Sequence, residues 1–144
     1  MFDNKNMLYI LTILEAIEKI FYYSKNYDDA ELFFYANKQL HFNASVNLLI
    51  AIGEENKKIE DGLKVSNKIN WKNVSAMRDK MSHNYRGIDD SMVWDIIQNY
   101  LPNLKEALIE ILPKIENYKL YIKEALKSRH YEDLEYLKEK VYIE

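Results

Sequence analysis

The stretch SMVWDIIQNYLPNLKEALIEILPKI, residues Ser91–Ile115, decides the fold. Val93, Ile97, Leu101, Leu104, Leu108, Ile111, Leu112 and Ile115 recur at a spacing of three or four, the period of one face of an α-helix. Pro102 and Pro113 interrupt the stripe. Each lacks a backbone donor and disfavours helix at the residue before it, so a kink or break is expected at Pro102 and a bend near Pro113.

The same period continues upstream. Asp89, Asp90 and Ser91 offer N-caps for this stretch, and Gly87 sits where a glycine ends a preceding helix predicted over about Trp71 to Asn84. Asp61 to Trp71 is polar, contains Gly62 and reads as a loop. Before it, one helical stretch is predicted from Ala30 to Ile59. Its middle, Val46–Ile52, is apolar on nearly all sides, as expected of a helix buried by several neighbours or by a second subunit. Gly53 inside this pattern marks either a close helix–helix approach or a break. Met7–Tyr23 places Ile10, Ile13, Leu14, Ile17, Ile20 and Phe21 on one face and Glu15, Glu18 and Lys19 on the other. Asn26–Asp29 is a turn carrying cap candidates. Downstream, Tyr118 to Tyr142 is charged and Tyr-rich, with a weaker stripe through Leu126, Leu134, Leu137 and Val141. The expected fold is an all-α, up-and-down bundle of four to five main helices in one domain, residues 1–144.

Composition agrees with this and narrows function. Three glycines and two prolines in 144 residues are too few for a turn-rich β-sandwich or a Pro/Gly-rich disordered chain. The absence of cysteine excludes disulfide scaffolds, Cys-ligated zinc and Cys nucleophiles. A net charge of −3 supplies no global attraction to nucleic acid, although a local basic patch is compatible with it. Glu15, Glu18 and Lys19 interrupt the apolar N-terminal stretch, so neither a signal peptide nor a membrane span is expected, and the expected compartment is the cytoplasm. There is no Gly-rich phosphate loop, H-E-x-x-H, nucleophile elbow or metal-ligand set, so no metal and no cofactor is expected.

One segment concentrates the chemistry. The chain holds three arginines and three histidines, and two of those arginines, one histidine and a tyrosine fall within Met77-Arg78-Asp79-Lys80-Met81-Ser82-His83-Asn84-Tyr85-Arg86. Arg78 and Tyr85 share a helix face, whereas His83 lies off that face on an ideal helix. An altered last turn brings it round, or a second subunit brings a second copy opposite. Arginine is a permanently charged fork suited to phosphate. Histidine exchanges a proton near neutrality. Together they suit metal-free cleavage of RNA, in which a base deprotonates the 2′-hydroxyl and a cation stabilises charge developing on the phosphate. The structural alternative is a helix end in which Arg78 and His83 bind carbonyls or pair with Asp79, Asp89 or Asp90. His41 and His130 read as structural or solvated. Lys57-Lys58 and the Lys138–Lys140 stretch read as solvated faces, and Asp89-Asp90 as a helix cap.

The segment from Met77 to Asp89 resembles the signature of HepT-like proteins in the HEPN superfamily: Arg, four residues, His, one residue, Tyr. Ala51-Ile52-Gly53-Glu54, Trp71, Asp89, Val93-Trp94 and Leu101-Pro102 extend the resemblance, which covers about residues 7–112 and leaves 113–144 as a C-terminal extension. It implies a helical bundle that forms a homodimer, with the two motif segments meeting in a composite ribonuclease site. Arg78 would stabilise phosphate, His83 would act as acid and base, and Glu54, Asp79 and Arg86 are candidate supporting residues. Such proteins are toxins of type VII toxin–antitoxin systems. The implied partner is a minimal nucleotidyltransferase antitoxin, MntA-like, that transfers AMP to the motif tyrosine, here Tyr85. The added negative charge beside Arg78 would repel RNA. The alternative is a non-catalytic helical partner subunit of that nucleotidyltransferase. One position departs from the pattern: many relatives carry Asn after the motif Arg, whereas Asp79 is a carboxylate able to pair with Arg78 or Lys80 and weaken phosphate attraction.

Overall fold

The computed structural model describes residues 1–82 and 87–142, and among them the architecture is all-α. Helix α1 (Lys5–Ser24) occupies the centre. Met7, Ile10, Ile13, Leu14, Ile17 and Ile20 are fully buried, so its apolar residues meet neighbours over a wide arc. Buried Asn6 fixes its start by donating to the Asp3 carbonyl at 2.8 Å and accepting from the Glu60 amide at 3.0 Å. Asp29 caps α2 (Ala30–Tyr35), accepting from the Leu32 amide at 2.9 Å.

The single helix expected from Ala30 to Ile59 is broken. Asn37, Lys38 and Gln39 all adopt left-handed backbone, with φ of 52°, 57° and 68°, before α3 (Leu40–Lys58) begins. No glycine marks this turn; Asn tolerates the left-handed region, whereas Lys38 and Gln39 adopt it against their ordinary preference. The break turns α2 off the α3 axis and inserts Phe33, fully buried, against Trp94, Tyr27 and Phe42 with ring centroids 5.6, 5.6 and 6.1 Å away. Helix α3 lies between α1 and α4 (Trp71–Ser82). Val46, Leu49 and Ile52 are buried, whereas Leu48, Ile50 and Ala51 stay partly exposed, so within this chain α1 is buried over the wider arc. The polar connection to α4 is anchored by buried Ile59 and Leu63 and by Trp71, whose indole donates to the Ser66 carbonyl at 3.2 Å.

Asp89 caps α5 (Asp90–Asp95), accepting from the Ser91 and Met92 amides. Pro102 does not break the path. One wide π-helical turn, Ile96–Tyr100, in which the Leu101 amide bonds the Ile96 carbonyl, precedes α6 (Leu101–Ile111), and the proline sits in the first turn of α6. A missing donor is harmless there. Pro113 lies in the 3₁₀ turn Leu112–Lys114 that ends the run. Phe2 then pairs with this region, donating to the Lys114 carbonyl at 3.0 Å and accepting from the Glu116 amide at 2.9 Å.

The C-terminal extension forms α7 (Tyr118–Ala125), a 3₁₀ segment Arg129–Leu134 and α8 (Leu137–Lys140). Ile122, Leu134 and Leu137 are fully buried. The extension covers the charged face of α1, which is therefore not a solvent face: the Glu15 and Glu18 side chains are only 16% and 19% exposed. Glu18 pairs with Lys105, whose ammonium lies 4.2 Å from the Tyr136 ring centroid. Among the described residues no helix is long and apolar enough to cross a membrane.

Candidate functional site

The site is organised where α3 and α4 approach most closely. Asn70 starts α4 by accepting from the Lys72 amide at 3.0 Å, and Val74, Met77 and Met81 turn its apolar stripe inward. Arg78 is thereby left on an outward face, its side chain 46% exposed. Gly53 of α3 lies directly against it. A Cβ at Gly53 would sit 2.9 Å from the Arg78 backbone nitrogen and 3.2 Å from both the Arg78 Cβ and the Ser75 carbonyl oxygen. The glycine therefore permits a close approach and makes no break, which settles the two readings of that position.

One turn further along α3, Asn56 is fully buried. Its amide nitrogen donates to the Trp71 carbonyl at 3.2 Å and to the Ser75 hydroxyl at 2.9 Å. This side chain fixes the register of α4 on α3. The sequence reading missed it, although its signal was present: a polar residue on the inner face between Ile52 and Ile59.

Adjacent to Gly53, Glu54 places Oε1 2.5 Å from Arg78 Nε. The same oxygen is 3.9 Å from Lys57 Nζ. Asp79 approaches from the other side, its Oδ1 3.4 Å from Arg78 Nη1. Two carboxylates and one further cation, Lys57, thus cluster around one guanidinium. All are near half exposed, so each pair is worth roughly 0.2–1 kcal/mol, and the longer contact, Asp79 at Nη1, yields to a better anion. A phosphate engaging the fork in two parallel bonds is such an anion.

Of the candidate residues, the structure brings Arg78, Glu54 and Asp79 together. His83, Tyr85 and Arg86 lie outside the described residues. His41 is occupied elsewhere: its Nδ1 is 2.8 Å from the Tyr27 hydroxyl and its ring stacks on Tyr23 at 5.7 Å. His130 lies on the surface in the C-terminal extension. Among the described residues no group of three or more His, Asp or Glu side chains is placed to hold a metal ion.

Comparison with known proteins gives this geometry a context. Residues 13–111 match the family model described as Ribonuclease HepT-like, an interval containing Gly53, Glu54, Asn56 and the whole Arg78–Arg86 segment. A Methanocaldococcus jannaschii protein named "Putative RNase" is 35% identical over 115 residues, covering 79% of this chain and 91% of its own. "Probable ribonuclease HepT" of Thermococcus cleftensis is 33% identical over 100 residues, covering 67% of this chain and 86% of its own. A further M. jannaschii protein, "Gamma-glutamylcyclotransferase and putative RNase", is 32% identical over 113 residues, and the chain spans half its length. No solved structure gives a significant match. With the family model covering well over half of the chain, and relatives matched over most of their length, this protein belongs to the ribonuclease HepT-like family.

Proposed function

We propose that this protein is a metal-independent RNA endonuclease, the toxin of a type VII toxin–antitoxin pair. The observation that carries the reading is Arg78, half exposed on α4 at its contact with Gly53, at the head of the Arg78–His83–Tyr85 spacing inside the family match. In this reading His83 takes the 2′-hydroxyl proton of RNA. The 2′-oxygen bonds to phosphorus, the bond to the 5′-oxygen breaks, and an imidazolium returns a proton to that leaving oxygen. Arg78 stabilises the charge gathered on the non-bridging oxygens. A homodimer supplies the motif twice, so the imidazole of one copy serves the guanidinium of the other. Neutralisation is AMP transfer from ATP to the Tyr85 hydroxyl by an MntA-like nucleotidyltransferase. Each phosphodiester adds negative charge beside Arg78, which repels RNA.

The test is cleavage of a mixed tRNA and mRNA pool by the purified protein with chelator present, beside His83→Ala, with intact mass confirming an unmodified Tyr85. Cleavage that disappears in the variant supports the reading. A second reading is favoured by the Asp79 carboxylate on Arg78 Nη1: a non-catalytic partner subunit of the nucleotidyltransferase. Binding to that partner without cleavage by unmodified protein selects it.

A further inference from the structure

The two carboxylates on Arg78 are not equivalent, and the geometry assigns them opposite roles: Glu54 is a positioning residue that holds the guanidinium by its Nε edge, and Asp79 is a competitor at the Nη edge. This rests on the ribonuclease reading for its kinetic consequence but not for the hold itself. Three observations carry it. First, Oε1 of Glu54 is 2.5 Å from Nε, whereas Asp79 reaches only to 3.4 Å from Nη1. Secondly, Glu54 belongs to a rigid frame. It follows Gly53, whose missing Cβ brings the α3 backbone onto the Arg78 backbone, and Asn56 locks the register one turn away through Trp71 and Ser75. Asp79 is Arg78's own chain neighbour, and among the described residues no second helix fixes it. Thirdly, Glu54 has a second cation, Lys57 Nζ at 3.9 Å, which steadies the carboxylate from the α3 side.

The consequence follows from the shape of the guanidinium. A phosphate bound in two parallel bonds needs one edge of the fork. Glu54 at Nε leaves the Nη edge for it and restricts the swing of a long side chain. Asp79 lies on the edge that the phosphate needs. Removing Glu54 therefore loosens the catalytic arginine and lowers turnover. Removing the Asp79 charge clears the substrate edge and strengthens binding.

The experiment combines kinetics with arginine side-chain NMR. Three arginines give three Nε–Hε signals in protein carrying isotope-labelled arginine, and Arg78→Lys identifies the one from Arg78. Arg129, 94% exposed, is the internal standard for a mobile side chain. In the wild type, Arg78 is more ordered than Arg129. In Glu54→Gln its order falls to the Arg129 level, and kcat for RNA drops about ten- to a hundredfold, the scale set by misplacing a reacting group. Glu54→Asp, which keeps the charge but shortens the reach, recovers part of both. Asp79→Asn lowers KM about two- to fivefold, the worth of one exposed ion pair. Glu54→Gln with an ordered Arg78 and wild-type kcat overturns the assignment, as does a variant that changes only thermal stability. A wild type that cuts no RNA removes the ribonuclease reading alone. The NMR then decides the hold: order lost in Glu54→Gln upholds it, and order kept ends it.

Discussion

Gly53→Ala is the substitution that probes the site's frame most directly. Two effects oppose each other. Alanine is favoured over glycine in a helix interior by about 1 kcal/mol. Against this, the new Cβ would lie 2.9 Å from the Arg78 backbone nitrogen and 3.2 Å from the Ser75 carbonyl oxygen. These are backbone atoms of a packed helix and cannot swing aside, so α4 itself must move by several tenths of an ångström. Overpacking of this kind costs about 1–3 kcal/mol. The net expectation is a loss of about 1 kcal/mol. For a domain of this size that is a drop in Tm of about 3 °C. Urea unfolding followed by circular dichroism measures it. Because the displacement falls on the residue that carries Arg78, RNA cleavage should fall by more than the stability change implies, about tenfold or more. Gly62→Ala is the control. Its Cβ would meet only the Phe2 ring, at 2.8 and 2.9 Å, and a terminal side chain can turn away; the cost should stay within about 0.5 kcal/mol. The close-approach argument is refuted if Gly53→Ala unfolds at the wild-type urea concentration or above and cleaves RNA at the wild-type rate.

Three further outcomes are expected. Asn56→Ala removes both donors that lock α4 to α3 and should destabilise by about 2 kcal/mol in the same unfolding assay. Phe33→Ala empties the aromatic cluster that holds α2 against Trp94 and should cost about 3–5 kcal/mol, with hydrogen exchange rising first in Ala30–Tyr35. Tyr136 gives a pH signature: burial, with a smaller contribution from Glu18, pushes its phenol above the ordinary value of 10.0. The folded state therefore keeps the proton that the unfolded chain gives up, so this stability is complete below about pH 10 and declines by about 1.4 kcal/mol per pH unit above it. Tyr136→Phe should flatten that alkaline decline in unfolding curves collected from neutral to alkaline pH, and an unchanged slope would remove Tyr136 as its source.

What was legible in the chain depended on the range of the interaction concerned. The apolar period of α1 and the caps Asp29 and Asp89 are local devices, and all three were readable from a few neighbouring residues. The left-handed turn at Asn37–Gln39 was not. Its residues carry no glycine or proline, and the force that bends the chain there is burial of Phe33 against residues as distant as Trp94. The cover over the charged face of α1 was hidden for the same reason, since it arrives from Tyr131, Leu134 and Tyr136, more than a hundred residues later. At the site, Arg78 stood out because arginine is scarce in this chain. The Glu54 contact and the Asn56 lock needed the register of two helices, which no spacing within either helix contains.

The wide turn at Ile96–Tyr100 takes up one residue more than an α-helical turn. Val93 before it, Ile97 within it, and Leu101, Leu104 and Leu108 after it all reach the interior. The same turn carries Tyr100, whose hydroxyl donates at 2.9 Å to the carbonyl of Asn70, the residue that starts α4. Deleting one residue there would restore ideal helical geometry locally. It would also change the direction in which Tyr100 leaves the axis, and so loosen the far end of the helix that carries Arg78. The irregular turn thus fastens the core to the site, and a more regular helix would give up that fastening.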